Sequence, residues 1–182
     1  MSEEHLRKAL LYPSGTKLDY TDALRKDIAQ NTPIPETQLD PALLGDNGLP
    51  QVPPLLWLGW AMTDLEALDF IHAKGMYDLV SYLGDRDEDK VDYEDTLETD
   101  DISVEIVTNA DIGNANAPYV KFVQVVRCDD TTGYALTVGD NRDCTLCPTD
   151  VEKLGHYVGK EQSEIQWHLD PVHWRWEARK SE

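Results

Sequence analysis

Hydrophobic and polar residues alternate with a period of two along much of the second half of the chain. The alternation runs from Ile102 to Ile106 and again from Gly133 to Val138, and residues 119–127 between them are rich in Val and aromatic side chains. A period of two places alternate side chains on opposite faces of an extended chain, which is typical of half-buried β-strands. Because the connections are short or turn-like, the pattern predicts three strands in an antiparallel meander.

The end of the chain alternates in the same way on both sides of Asp170-Pro171. This pattern predicts two short strands, each with an apolar face and a polar face. A two-residue loop at Asp170-Pro171 would place His168 opposite His173. A type I turn with Pro171 in its second position would instead place His168 opposite Arg175, and proline favours that turn.

A helical pattern begins at Thr63. Thr63 and Glu66 have the spacing of a capping box, in which each side chain accepts a hydrogen bond from a free backbone amide. We expect the helix to run to Lys74 and Gly75 to provide a left-handed exit. The residues expected to face inward are Leu65, Leu68, Phe70 and Ile71.

Three further segments have helical signals. Thr149 to Glu152 repeats the capping-box pattern and predicts a helix with Leu154 on its apolar side. Thr21 to Gln30 has a capping residue and an apolar side, which predicts a short helix. Asp78 to Leu83 fits either a helix or a strand.

Prolines are concentrated between Asn31 and Pro54, where six of the ten are found. Each proline removes a backbone donor and restrains the residue before it, so we expect an irregular strap here. The apolar run from Leu55 to Met62 is expected to be core. These patterns together predict an α+β fold, in which a mainly antiparallel sheet from the second half of the chain packs against two or three helices and the Pro-rich strap wraps around it.

Length and composition place the chain in the globular class. With 182 residues and 41% hydrophobic content, we expect one domain over residues 1–182, with residues 1–20 as a frayed end. The N-terminus has no basic or apolar stretch, and the longest apolar run is far shorter than the ~20 residues that span a bilayer. Three cysteines in a chain without a signal peptide indicate a reducing compartment. We therefore expect a soluble, cytoplasmic protein that does not bind membranes.

The net charge of −19 is concentrated in one segment. Between Asp85 and Asp101, ten of seventeen residues are Asp or Glu, and only Arg86 and Lys90 oppose them. This charge disfavours DNA, RNA and anionic membranes as partners and favours a basic protein. The leading hypothesis is a non-enzymatic interaction protein with an acidic loop over residues 85–101, a profile shared by inhibitors, immunity-type proteins and mimics of nucleic-acid charge. The residues expected to contact the basic partner are Asp85, Asp87, Glu88, Asp89, Asp92, Glu94 and Asp95.

A Cys-x2-Cys motif at Cys144 and Cys147 is the candidate for metal chemistry. Two thiolates at this spacing can bind one tetrahedral ion, and the His-x4-His pair of His168 and His173 would supply two more ligands. The sequence therefore offers a zinc-supported binding domain as an alternative function. Thiol redox chemistry at the two cysteines and an apolar turn without chemistry are two further interpretations of the same motif.

Sequence signatures of enzymes are absent. The chain contains no Gly-x-Ser-x-Gly elbow, phosphate-binding loop, dinucleotide fingerprint or His-Glu-x-x-His helix. An enzyme of unassigned reaction is a third hypothesis, and it would need a pocket that holds His168, His173 and a carboxylate. The five tryptophans would either form a binding face or fill the core, and Trp176 is expected to be the most exposed of them.

Overall fold

The computed structural model describes seven stretches of the protein, which are residues 34–35, 39–45, 48, 51–83, 94–126, 132–142 and 145–178. Nine β-strands and three α-helices lie within these stretches. The strands are β1 (Ile34–Pro35), β2 (Gln51–Val52), β3 (Leu56–Met62), β4 (Val80–Leu83), β5 (Glu94–Leu97), β6 (Phe122–Val126), β7 (Thr132–Asp140), β8 (Gln166–Leu169) and β9 (Glu177–Ala178). The helices are α1 (Asp64–Ala73), α2 (Thr99–Asn109) and α3 (Pro148–Val158). The helix predicted at Thr21–Gln30 lies outside the described residues.

Five of the strands form an antiparallel sheet in the order β1-β8-β3-β7-β6. Strands β6 and β7 form a hairpin as the alternation predicts, whereas β8 returns from the end of the chain to pair with β3. One further register pair, Val126 with Leu169, joins β6 to β8, so the sheet curls. Two separate antiparallel ladders, β2–β9 and β4–β5, hold the remaining described strands. The prediction of an α+β fold with a mainly antiparallel sheet is confirmed.

Strand β3 is the centre of the sheet and is buried on both faces. Leu56, Leu58 and Trp60 point into the main core, and Trp57 packs on the opposite face in a smaller cluster with Val125. A strand buried on both faces needs apolar residues at nearly every position rather than at alternate ones. This explains the continuous apolar run at Leu55–Met62, and its prediction as core is confirmed.

All three helices pack on the main core. Each contributes a pair of buried apolar residues spaced three or four positions apart, which places both members of a pair on one side of the helix. The pairs are Ala67 and Ile71 in α1, Ile102 and Ile106 in α2, and Val151 and Leu154 in α3.

The strand predicted at Ile102–Ile106 is wrong, because this segment is the middle of α2. Ile102 and Ile106 are buried, while Val104 between them is 62% exposed. An apolar pair four positions apart fits one side of a helix as well as one face of a strand. The acidic residues Asp100 and Asp101 lie in the first turn of α2, where the helix dipole favours negative charge.

Helix α1 confirms the capping box. The Thr63 side chain accepts from the amide of Glu66, and the Glu66 carboxylate accepts from the amide of Thr63. Gly75 has a φ of 74°, as the predicted left-handed exit requires. The expectation that Leu65 faces inward is wrong, since it is 74% exposed. Leu65 is two positions from the buried Ala67, and this separation turns it to the other side of the helix.

Helix α3 begins one residue before the predicted capping box. Cys147 is its N-cap and makes no side-chain capping hydrogen bond, and Pro148 takes the first helical position. Proline is well suited to this position because its missing N–H would have no partner there. Thr149 therefore lies inside the first turn, and the capping box predicted for it is wrong.

The ambiguous segment Asp78–Leu83 is fully described, whereas the proline-rich segment is described only in part, so the strap stays a prediction. Tyr77–Leu79 is a short 3₁₀ turn that leads into β4, so the chain from Val80 to Leu83 is a strand rather than a helix. Within the proline-rich segment, the described parts are the short strands β1 and β2 and a 3₁₀ turn at Pro41–Leu43.

The second tail strand predicted after Pro171 is wrong. The chain from Pro171 to His173 bends, and its next strand is β9, which pairs with β2 instead of with β8. His168 therefore lies opposite Trp57 of β3, and not opposite His173 or Arg175.

All five tryptophans are buried, so the interpretation that they fill the core is confirmed. Trp60 is the most deeply buried of them. Trp176 is only 5% exposed, so the expectation that it is the most exposed of the five is wrong.

Candidate functional site

Two of the seven predicted partner-binding residues lie in the part of the chain that the structure describes. Glu94 and Asp95 lie on β5, where they pair with Leu83 and Tyr82 of β4. The other five, Asp85, Asp87, Glu88, Asp89 and Asp92, lie outside the described residues. The pairing of Leu83 with Glu94 fixes where the acidic connection starts and ends, since both of its ends are at the same end of the β4–β5 ladder.

The base of this ladder is anchored in the core. Val80 pairs with Leu97, and both side chains are buried in the main core. The amide of Glu98 donates a 3.0 Å hydrogen bond to the carbonyl of Leu79, which ties the start of α2 to the start of β4. The ladder is thus attached to the core at its base, although it is not part of the five-stranded sheet.

The acidic segment 85–101 is not a loop over its whole length. From Glu94 it runs through β5 and into the first turn of α2. Asp100 and Asp101 are exposed there. The loop prediction for this part is wrong, because the apolar residues Leu97 and Ile102 draw the chain into the core between the acidic positions.

The four predicted zinc ligands occupy different environments. Cys144 lies outside the described residues, Cys147 is exposed at the start of α3, and His168 is buried on β8. His173 lies in the bend after β8 with its side chain 49% exposed. In the described part of the chain, no group of three or more His, Cys, Asp or Glu side chains is arranged to hold a metal ion. The zinc site stays a prediction, because Cys144 is one of its ligands.

His168 is a buried, neutral histidine. Burial lowers its pKa to about 4, against the opposing effect of a hydrogen bond to the backbone of Gly59. That bond favours the protonated ring, so the ring nitrogen donates to the Gly59 carbonyl. Nε2 of His168 is buried and has no hydrogen-bond partner among the described residues.

His168 also lines an open cleft of about 390 Å³ beside the sheet. The cleft lies where β3 continues past the start of β8, between the end of β3 and the chain that links α3 to β8. The lining residues are Trp60, Ala61, Lys160, Ser163, Glu164, Gln166 and His168. The cleft contains a histidine and a carboxylate, but His173 is not among its lining residues, so the three-residue pocket required by the enzyme hypothesis is not formed by this cleft.

Asp170 contacts His173, the second histidine of the predicted zinc site. Its Oδ1 accepts hydrogen bonds from the amides of Val172 and His173, and it lies 3.2 Å from His173 Nδ1. Its Oδ2 accepts a hydrogen bond from the indole of Trp57. The carboxylate is buried and well supplied with donors, and the histidine ring that it holds remains half-exposed.

A third polar cluster surrounds Cys147 and was missed by the sequence reasoning. The side-chain amide of Asn116 donates to the buried carboxylate of Asp150 and lies 3.6 Å from the sulfur of Cys147. The Asn116 hydrogen bond holds the pKa of Asp150 below its ordinary value, against the effect of burial, with smaller contributions from the Cys147 thiol and Lys153. No local sequence signal connects Asn116 with a helix that begins 32 positions later.

In the described part of the chain, no helix has the length and apolar character needed to cross a membrane. The sequence matches no protein-family model and no curated protein, and the fold matches no solved structure.

Proposed function

We propose that this protein is a non-enzymatic interaction protein that binds a basic protein through the acidic end of the β4–β5 ladder. The observation that carries the proposal is the register pair Leu83–Glu94. It places Leu83 and Glu94, the residues that flank the acidic connection in the sequence, side by side at one end of a ladder whose base is fixed in the core. Asp100 and Asp101, exposed at the start of α2, add to the same negative region of the chain.

The physical advantage of this arrangement is charge density. The segment from Asp85 to Asp101 has a net charge of −8 within seventeen residues. Such a field attracts a basic surface over a distance of about one Debye length, roughly 8–10 Å at physiological salt, and raises the rate of association with it. Charge complementarity also selects against acidic partners. Inhibitors, immunity-type proteins and mimics of nucleic-acid charge share this acidic profile. Three cysteines in the chain support a cytoplasmic setting.

The test compares two variants of equal net charge. The first neutralises the acidic connection with Asp85→Asn, Asp87→Asn, Glu88→Gln and Asp89→Asn. The matched control neutralises four exposed residues elsewhere, with the changes Asp64→Asn, Asp69→Asn, Glu152→Gln and Glu177→Gln. Wild type and both variants are used as baits in an extract of the source cells, at low salt and at about 0.5 M salt, where exposed charges are strongly screened.

We expect the wild type and the control variant to capture a basic protein at low salt, and the first variant to lose it. High salt should release this protein from the wild type and from the control variant. Equal capture by the two variants, capture that is insensitive to salt, or the absence of any basic partner would each contradict the proposal.

A further inference from the structure

The β4–β5 ladder is a two-stranded ribbon, and neither of its outer edges pairs with a further strand of the described chain. Its strands run antiparallel from the Val80–Leu97 pair at the base to the Leu83–Glu94 pair at the other end. In an antiparallel pair, alternate residues turn their backbone N–H and C=O groups away from the partner strand. Each outer edge of the ladder therefore presents backbone groups that no described strand pairs, and such an edge is a template for an added strand.

One hydrogen bond fixes which residue of β5 presents these groups. The amide of Glu98 donates a 3.0 Å hydrogen bond to the carbonyl of Leu79, in the same register as the ladder. This bond flanks the Val80–Leu97 pair, so that pair is of the non-hydrogen-bonded kind, and the two kinds alternate along the ladder. The Tyr82–Asp95 pair is therefore also non-hydrogen-bonded. It follows that the backbone N–H and C=O of Asp95 point to the outer edge of β5.

The charge of β5 restricts the class of strand that its edge accepts. Glu94 and Asp95 are neighbours on this four-residue strand and directly follow the acidic connection. Like charges on paired strands are destabilising, whereas opposite charges are stabilising. Pairing with β5 of a second copy would bring two acidic strands together, so charge disfavours self-association at this edge. The same charge favours an incoming strand that carries Lys or Arg.

We propose that the outer edge of β5 binds an extended basic segment of the partner protein as an added β-strand. This inference rests on the proposed function, because the acidic charge attracts the partner, and it adds the contact that holds the partner in register. The segment forms backbone hydrogen bonds with the N–H and C=O of Asp95, and its Lys or Arg residues match the charge of β5. An extended basic segment is thereby preferred over other basic surfaces.

The test uses two peptides of equal charge and the full-length protein at low salt. The first peptide is Ac-Lys-Val-Lys-Val-Lys-Val-Lys-NH2, and the second has the same sequence with a methyl group on every backbone nitrogen between residues. Methylation removes the N–H donors that a strand needs and leaves the charge unchanged. Fluorescence anisotropy measures the two affinities, and NMR measures hydrogen exchange at the amide of Asp95.

Two variants of the protein separate the backbone of β5 from its charge. Asp95→Pro removes the outward N–H together with the carboxylate, whereas Asp95→Asn removes the carboxylate alone. Proline is tolerated on edge strands where the N–H faces outward, and the N–H of Asp95 takes no part in the β4–β5 hydrogen bonds. Thermal unfolding checks that both variants are folded. The peptide pair and the exchange measurement decide the question if Asp95→Pro is not.

We expect the unmethylated peptide to bind at least about tenfold more tightly than the methylated one and to slow hydrogen exchange at Asp95. A folded Asp95→Pro should bind it about tenfold more weakly than Asp95→Asn does. Equal affinities of the two peptides, or an unchanged exchange rate at Asp95, would overturn the added strand. Capture of a basic protein through charge alone would still stand, so the two failures are distinguishable. Exchange at Asp95 that slows with protein concentration alone would assign the edge to a second copy and also overturn the proposal.

Discussion

The indole Nε1 of Trp57 donates a 2.9 Å hydrogen bond to Oδ2 of Asp170, which is 113 positions later in the chain. The other oxygen of Asp170 accepts the amides of Val172 and His173. In addition, the amide of Asp170 donates to the carbonyl of Leu55. These bonds fix the end of β8 to the start of β3 and turn the chain away after Pro171, which is why the tail does not fold back as a hairpin on β8.

Replacing Asp170 should therefore destabilise the fold. In Asp170→Ala, the buried indole N–H of Trp57 and two turn amides lose their acceptor, and we expect a loss of about 3 kcal/mol in the free energy of unfolding. Denaturant unfolding of Asp170→Ala, Trp57→Phe and the double variant measures it. The double-mutant cycle should show a coupling of about 1–2 kcal/mol. Additive effects of the two changes would contradict the role given to this bond.

A second prediction concerns α2. It distinguishes the observed helix from the strand that the alternation predicts for the same residues. Ile106→Ala removes a fully buried side chain and should cost about 3 kcal/mol in the free energy of unfolding. Val104→Ala changes an exposed position and should shift it by no more than about 0.5 kcal/mol. The pair is compared by denaturant unfolding. Similar large losses for both variants would indicate that Val104 is buried, as in the strand interpretation.

The parts of the fold that sequence could predict are those with local signals. The capping box at Thr63 and the apolar run from Leu55 to Met62 each have one physical interpretation, and both predictions hold. The pattern around Ile102 fits a helix and a strand equally well, and packing on the sheet decides between them. The tail was mispredicted because Asp170 is held by Trp57, a contact that no local pattern reveals.

A third prediction concerns Gly59, at the centre of the sheet. The register between β3 and β7 shifts between Leu58 and Gly59, and the carbonyl of Leu136 occupies the space that a Cβ at Gly59 would need. Gly59→Ala should therefore cost about 3 kcal/mol in the free energy of unfolding. Gly113→Ala, where a Cβ meets no atom, is the matched control and should change it by less than about 0.5 kcal/mol. Thermal or denaturant unfolding that ranks the two equally would argue against this close approach.

His168 makes stability depend on pH. Its pKa is lowered to about 4 in the folded protein, whereas an unfolded chain binds the proton near pH 6.5. Between these two pH values the unfolded state therefore binds more protons than the folded state. The contribution of His168 to the free energy of unfolding is complete above pH 6.5 and is lost as the pH falls towards 4. At 1.36 kcal/mol per pKa unit, the loss is about 3 kcal/mol.

This dependence is measured by denaturant unfolding of wild type and His168→Gln from pH 7 to pH 4.5. The variant lacks the titrating ring and should show a flatter curve. Asp150, whose pKa is also lowered, does not interfere. As a carboxylate below its ordinary pKa, it contributes stability that is lost only at lower pH. Parallel curves for the two proteins would show that His168 does not titrate in this range.

The candidate sites were less predictable than the fold. The sequence predicts His168 as a partner of His173 and the cysteines, whereas pairing of β8 with β3 places it opposite Trp57 and on a cleft that Lys160 and Glu164 also line. The environment of Cys147 depends on Asn116, which reaches it from the connection after α2. Both arrangements result from long-range packing. By contrast, the acidic segment is a property of composition and is visible in the sequence.

Calorimetry of the purified basic partner at about 0.05 M and 0.5 M salt tests whether binding depends on the acidic segment, since salt screens exposed charges. For the wild type, we expect the dissociation constant to rise at least about tenfold at high salt. We expect the variant neutralised at Asp85, Asp87, Glu88 and Asp89 to bind weakly at both salt concentrations. A dissociation constant that does not change with salt or with this neutralisation would contradict the proposed function.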